Sequence, residues 1–272
     1  MKRDFINGSR TLSHIAAVLF CVATVACAQG EPPAAAVSAF HSYVGGVEAR
    51  LAVQHRSADG FLALPDGDSP KYAQLRRGEL AIEEMTPAGG VGLPGALLHH
   101  WRGTAFVEGA KAGDLERILR DFDSYPRRFS PQVLRAQVVM RQGDRVQVSI
   151  RVVQQHIITV VMDTGYDVSF GRLDARHGYS ASRSKRISEI ASPGTTSEHP
   201  LGASEEHGFL WRQNTYWNYE ERDGGLYMQI ESVSLSRSIP VGLGWAVRPF
   251  VESVPRDSLE FTLRSMSNAL RN

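Results

Sequence analysis

The stretch GFLWRQNTYWNYEERDGGLYMQIESVSLS, residues 208–236, holds two long runs rich in aromatic and β-branched residues, joined at Asp223-Gly224-Gly225. Such residues fit a pleated, half-buried surface, and Asp-Gly between two runs is a strong signal for a tight hairpin turn. The stretch therefore predicts an antiparallel pair of strands, Gly208–Arg222 and Leu226–Ser236. Alternation along the first strand puts Phe209, Trp211, Gln213, Thr215, Trp217 and Tyr219 on one face, and Leu210, Arg212, Asn214, Tyr216 and Asn218 on the other. With a two-residue Asp223-Gly224 turn, Arg222 opposes Gly225 and Tyr216 opposes Glu231, on the face of Arg212 and Asn214. A three-residue loop shifts the pairing by one and sets Trp217 opposite Glu231. The Asp-Gly signal favours the first register.

Four further strands are expected before the hairpin, at Leu134–Arg141, Arg145–Ile157, Thr159–Phe170 and Gly178–Ile190, each bounded by turn formers. Short connections between them imply an antiparallel meander. Upstream, His100–Val107 reads as a first strand. Asp114 follows as an N-cap, and Leu115, Ile118, Leu119 and Phe122 form a helical face, with Tyr125-Pro126 and Ser130-Pro131 ending that helix. Downstream, Leu259, Leu263, Met266 and Leu270 recur at helical spacing, with Pro255 expected in the first turn of the last helix. The class is α+β.

A strand, a short helix pair, six antiparallel strands and a long C-terminal helix form the order of the helix-grip fold. Over residues 97–272 the chain resembles the START-like superfamily of polyketide cyclases, dehydrases and lipid transport proteins, particularly its exported bacterial members. The resemblance rests on Leu98-His99-His100-Trp101-Arg102-Gly103-Thr104-Ala105-Phe106, Gly208–Asn214, Tyr227-Met228-Gln229-Ile230-Glu231 and Ser236-Arg237-Ser238-Ile239-Pro240. It implies a curved antiparallel sheet wrapped around the last helix, with a cavity between them for a lipid or other apolar molecule. The superfamily also contains enzymes, so its fold does not choose between binding and catalysis.

Residues 29–96 form an N-terminal extension. Val37, Phe40, Tyr43, Val44, Val47 and Leu51 mark an amphipathic helix, turn formers follow from Asp59 to Pro70, and a short strand is expected at Leu80–Met85. The first 28 residues read as a signal peptide: Lys2, Arg3 and Arg10 precede an apolar run from Ile15 to Ala26 and the small residues Ala26-Cys27-Ala28. That run is shorter than the roughly 20 residues that span a bilayer, so no transmembrane helix is expected after processing. A lipidated Cys27 is the competing reading, although Thr24-Val25-Ala26 lacks the Leu usual before such a cysteine. A periplasmic or secreted protein is expected, with transient membrane contact among its partners. Cys21 and Cys27, the two cysteines of the chain, lie in the removed segment, which leaves the mature chain without thiol chemistry.

The whole chain has 272 residues, 42% hydrophobic and 22% charged, with 30 Lys+Arg against 29 Asp+Glu. Near neutrality argues against a nucleic-acid partner. No nucleophile elbow, zinc helix or phosphate loop is found, so no catalytic residue, metal or cofactor is assigned. Gly242-Leu243-Gly244 reads as a flexible connection that could gate the cavity. His99 and His100 are adjacent and point to opposite faces of a strand, and His156 and His207 have no partner at ligand spacing. Asp163 and Asp167 stand too far apart for paired carboxylate chemistry.

The candidate ligand contacts are Arg212, Asn214, Tyr216 and Glu231, a polar cluster on one sheet face in which Arg212 is available to a carboxylate. Trp101, Trp211, Tyr179, Arg183 and Arg151 join them as further candidates, Arg183 being expected to point into the cavity. A solvated outer sheet face with a cross-strand ion pair is the alternative for the cluster, and an edge strand guarded by charge is the alternative for Arg183. The expected function is an exported, non-catalytic protein that binds an apolar ligand. A cyclase or dehydratase using the same cavity and a structural protein with a filled core are the rivals.

Overall fold

The computed structural model describes residues 30–87, 89–155, 159–238 and 244–271, with side chains of the last helix from Ser253 onward. Helices α1 (Ala34–Gln54) and α2 (Pro70–Arg76) lead to strands β1 (Ala81–Glu84), β2 (Val91–Leu93) and β3 (Ala96–Glu108). Helix α3 (Ala112–Arg120), a 3₁₀ turn (Phe122–Ser124) and α4 (Tyr125–Arg128) follow. The chain then runs through β4 (Val133–Gln142), β5 (Arg145–Gln155), β6 (Thr159–Arg172), β7 (His177–Ala191), β8 (His199–Pro200), β9 (Arg212–Arg222) and β10 (Gly225–Arg237), and closes with α5 (Gly244–Arg271).

The sheet has the order β1-β3-β10-β9-β7-β6-β5-β4, with β2 added on β3 and β8 on β7. Every pair is antiparallel. With the last strand placed beside the first long one and α5 lying against β3, this is the helix-grip arrangement, and the sheet does not close on itself. The hairpin adopts the two-residue turn: Arg222 pairs with Gly225 and Tyr216 with Glu231. Asp223 takes φ 55° and Gly224 φ 75°, the left-handed pair that such a turn requires.

Four local expectations are corrected. Helix α3 starts at Ala112 with Lys111 as its N-cap, and Asp114 sits inside the first turn, bonded to Arg117 at 2.6 Å. Pro126 opens the short α4. Helix α5 begins at Gly244, so Pro255 lies within it, where it removes a backbone donor. Strand β7 is not an edge, because its first half is held by β9 through Arg183↔Asn214. The signal segment, His156 and the Gly242-Leu243 connection lie outside the described residues.

Both faces of the sheet are covered. On the concave face Leu259, Leu263 and Met266 of α5 pack with α3 and with Ala105, Met228, Ile230, Trp217 and Tyr219. On the convex face Ala36, Phe40, Val44, Val47 and Leu51 of α1 pack on Ala96, Leu98, Trp211, Tyr216, Val233 and Leu235. The extension is thus a second layer of the same body. Gly103 sets the approach of α5, since a Cβ there would lie 2.5 Å from both Leu259 Cδ2 and Leu263 Cδ1. Gly103→Val is expected to lower stability by about 1–3 kcal/mol through overpacking, read as a lower urea midpoint.

Candidate functional site

The register turns the concave face into rows that cross the sheet. The rows Ala105–Met228–Tyr219 and Gly103–Ile230–Trp217 are apolar and lie beneath the second half of α5. The next row, Trp101–Ser232–Thr215–Ser182, is polar, as is the one beyond it, His99–Ser234–Gln213. Met228 is 0% and Tyr219 1% exposed, whereas Trp101, Ser232, Thr215, Ser182 and Gln213 are half-buried and His99 and Ser234 are buried. Tyr166 joins this patch by donating to Gln213 Oε1 at 3.0 Å, and Gln213 Nε2 donates to Ser232 Oγ at 3.4 Å. Burial pushes the Tyr166 hydroxyl up to about 12, so it stays a donor at neutral pH.

Trp101 stands where the two regimes meet. Its ring packs against the apolar cluster, while Nε1 is buried without a hydrogen-bond partner among the described residues. An unpaired buried N–H costs about 1–3 kcal/mol, so such atoms are few in folded proteins and call for an explanation.

Of the nine candidate ligand contacts, Trp101 is the one that the structure places on the concave face. The cluster Arg212, Asn214, Tyr216 and Glu231 does share a face, as alternation requires, but it is the convex face, against α1. Glu231 is 0% exposed, and its Oε2 accepts from Arg50 Nη2 of α1 at 2.5 Å and from His100 Nε2 at 2.9 Å. The other ring nitrogen of His100 lies 3.0 Å from the Tyr43 hydroxyl. With Nε2 donating to Glu231 and Nδ1 accepting from the Tyr43 hydroxyl, every one of these contacts has one donor and one acceptor. Tyr216 donates to Glu48 Oε1 at 2.9 Å and accepts from Asn214 Nδ2 at 3.2 Å.

Arg183 also reaches Glu48, at 2.6 Å, rather than the space under α5. Tyr179 stacks on His55 with ring centroids 3.8 Å apart, and His55 Nε2 lies 2.6 Å from Asn218 Oδ1. Burial holds His55 below the usual histidine range, which keeps it neutral and donating to Asn218. Arg151 is clamped by Asp163, with two contacts of 2.7 Å, and by Glu198. Trp211 donates to the Gly30 carbonyl at 3.0 Å. Trp211 and Arg212 also line a cavity of about 430 Å³ on the convex side, between the start of α1 and the residue 201–206 loop.

Sequence reasoning counted Tyr43 in the apolar stripe of α1 and did not single out Glu48, Arg50 and His55, the other polar residues of α1 and its C-terminal end that meet this face. Among the described residues no group of three or more His, Cys, Asp or Glu could hold a metal, and no helix is long and apolar enough to cross a membrane.

No family model and no curated protein matches the chain. Solved structures of similar shape include a START superfamily protein from Mycobacterium smegmatis, at 13% identity and TM-score 0.41, covering 63% of this chain and 97% of that one. A STAR-related lipid transfer protein fragment from Xanthomonas axonopodis matches at 16% identity and TM-score 0.41, covering 67% and 97%. The Zhui aromatase/cyclase from Streptomyces sp. R1128 matches at 12% identity and TM-score 0.45, covering 64% and 94%. Identities this low carry no residue roles from one chain to another.

Burial alone raises the Glu231 pKa, but the hydrogen bonds from His100 and Arg50 outweigh it and hold the carboxyl below its ordinary 4.5. A carboxyl depressed in the folded state contributes stability above its unfolded pKa and loses it as pH falls through the folded one. That contribution is therefore full at neutral pH, begins to fall near pH 4.5 and is gone only below the lower folded pKa. Glu231→Gln leaves Arg50 without its counter-charge. Removing one partner of a fully buried pair costs about 3–5 kcal/mol, and because Arg50 is 37% exposed a loss of about 2–3 kcal/mol is expected at pH 7. Urea unfolding at pH 7 and pH 3 checks this: the gap between wild type and variant should narrow at the lower pH, and equal stability at pH 7 would rule the network out as a stabilising element.

Proposed function

We propose that the protein is exported and holds a lipid or another apolar molecule between the concave sheet face and the first half of α5, as a binding protein rather than an enzyme. The observation that carries this reading is Trp101. Its buried Nε1, unpaired among the described residues, lies at the border between an apolar wall and a half-buried patch of serine, threonine and glutamine hydrogen-bonding groups. Ligand sites combine an apolar lining with a few polar groups that fix orientation. The rows supply both, with the polar end under the part of α5 nearest β10.

Binding is preferred over acid–base catalysis because Arg183, Tyr216 and Glu231, the side chains first suited to that chemistry, are engaged by α1 on the other face. Export is supported by the basic, apolar and small-residue order of the first 28 residues. The intact mass of the exported protein tests it. A chain starting at Gln29 is expected, and a lipid-modified Cys27 would replace the signal-peptide reading with that of a lipoprotein.

Native mass spectrometry of protein from the exported fraction, followed by organic extraction, is expected to find one apolar molecule per chain. Trp101→Phe keeps the ring and removes the N–H donor, so retention of that molecule should weaken about five- to tenfold, the scale of one net hydrogen bond. A protein that emerges empty, or a Phe variant that binds as well as wild type, would overturn the reading.

A further inference from the structure

The convex-side cavity is separate from the space under α5 and is built by the N-terminal extension. Its volume of about 430 Å³ falls within the roughly 300–1,000 Å³ of small-molecule sites. One wall is the start of α1, one is the end of β7 with the start of β9, and the third is the loop through Leu201 and Glu206. That loop is held in place. The buried Glu189 carboxylate accepts from the backbone N–H groups of His207, Gly208 and Phe209 and also contacts His207 Nδ1, at 2.7 to 3.2 Å. Gly30 seals the opposite side against Ala203, where no Cβ would fit, and its carbonyl is fixed by Trp211.

Two guanidinium groups line this cavity. Arg186 donates through Nε to Ser188 Oγ at 2.8 Å, and Arg212 through Nη1 to its neighbour's carbonyl at 2.7 Å. Neither has a carboxylate within ion-pair distance among the described residues, whereas Arg50, Arg102, Arg151 and Arg183 all do. Each guanidinium has five N–H donors, so most of this capacity is unspent. Glu206 lies near both and Glu31 also lines the cavity, and burial together with the charge of Glu189 raises the Glu206 pKa. With two positive charges facing two acidic side chains, a single added negative charge suits the cavity better than a double one. Val37, Leu201 and the Trp211 ring supply an apolar wall next to them.

We infer that this cavity is a second binding site, which takes a small monocarboxylate with its carboxylate on Arg186 and Arg212 and its apolar body along Val37, Leu201 and Trp211. The site exists only while α1 is docked on the sheet.

Isothermal titration with hexanoate, hexanol and hexyl phosphate tests this. Hexanoate is expected to bind saturably at one per chain and at least tenfold tighter than hexanol, since charge-assisted hydrogen bonds to a guanidinium are worth about a factor of ten or more. R186Q/R212Q should remove that preference, and R212Q alone should reduce it several-fold. Leu201→Trp, which fills the cavity, should abolish hexanoate binding, whereas Trp101→Phe on the other face should leave it unchanged. Circular dichroism confirms that each variant is folded, and R212Q provides the readout if the double variant is not. Absence of saturable hexanoate binding, affinity equal to that of hexanol, or a preference that survives R212Q and Leu201→Trp would overturn the site. Tighter binding of hexyl phosphate would overturn the assignment of a monocarboxylate.

Discussion

The Glu231 carboxylate is wholly buried, and the outer half of the molecule is arranged around that fact. A carboxylate removed from water has a desolvation penalty of several kcal/mol unless charges and donors meet it. Here one donor comes from the sheet itself, His100 on β3, and the other from Arg50 on a helix 181 residues away in sequence. The apolar stripe of α1 would pack on many sheet surfaces, since hydrophobic contact is not directional. The Arg50–Glu231 and Glu48–Arg183–Tyr216 contacts single out one position and one orientation for it. The polar pairs therefore specify the register of α1, and the apolar stripe drives its association.

Because α1 covers one face and α5 the other, β10 is buried on both sides along most of its length. The two faces solve different problems. On the convex face four polar side chains of the sheet meet complementary residues of the extension: His100 with Tyr43, Glu231 with Arg50, Arg183 with Glu48, and Asn218 with His55. On the concave face Tyr166, Gln213 and Ser232 bond among themselves, and the Trp101 indole N–H meets no acceptor among the described residues. A surface evolved only to receive a fixed helix resembles the first. One that must accept and release a molecule resembles the second, because groups committed to internal partners could not also orient a ligand.

Much of the fold was legible in residues 208–236. The Asp223-Gly224 turn fixed the hairpin register, and from it came the correct sharing of a face by Arg212, Asn214, Tyr216 and Glu231. The α1 stripe and the Leu259, Leu263, Met266 stripe of α5 were equally clear, since period 3.6 shows in sequence wherever one face of a helix is buried. The start of α5 was not, because Pro255 mimics a first-turn proline and Pro249 interrupts the earlier run in which Val247, Phe250, Val251 and Val254 recur at helical spacing.

The candidate site was only half legible, and the reason lies in a symmetry. Strand alternation sorts side chains into two sets but is unchanged if the two faces are exchanged, so it cannot say which set looks toward the cavity. That symmetry is broken by a long-range match, and the match left a trace in the sequence. Glu48 and Arg50 flank the apolar stripe of α1, and the polar set of the strands offers Arg183 and Glu231, of opposite sign. A helix whose border residues carry the charges that a strand face lacks is the natural cover for that face. Pairing the two sets by charge would have assigned Glu231 to α1 and left Trp101, Ser232, Thr215 and Gln213 as the set facing α5.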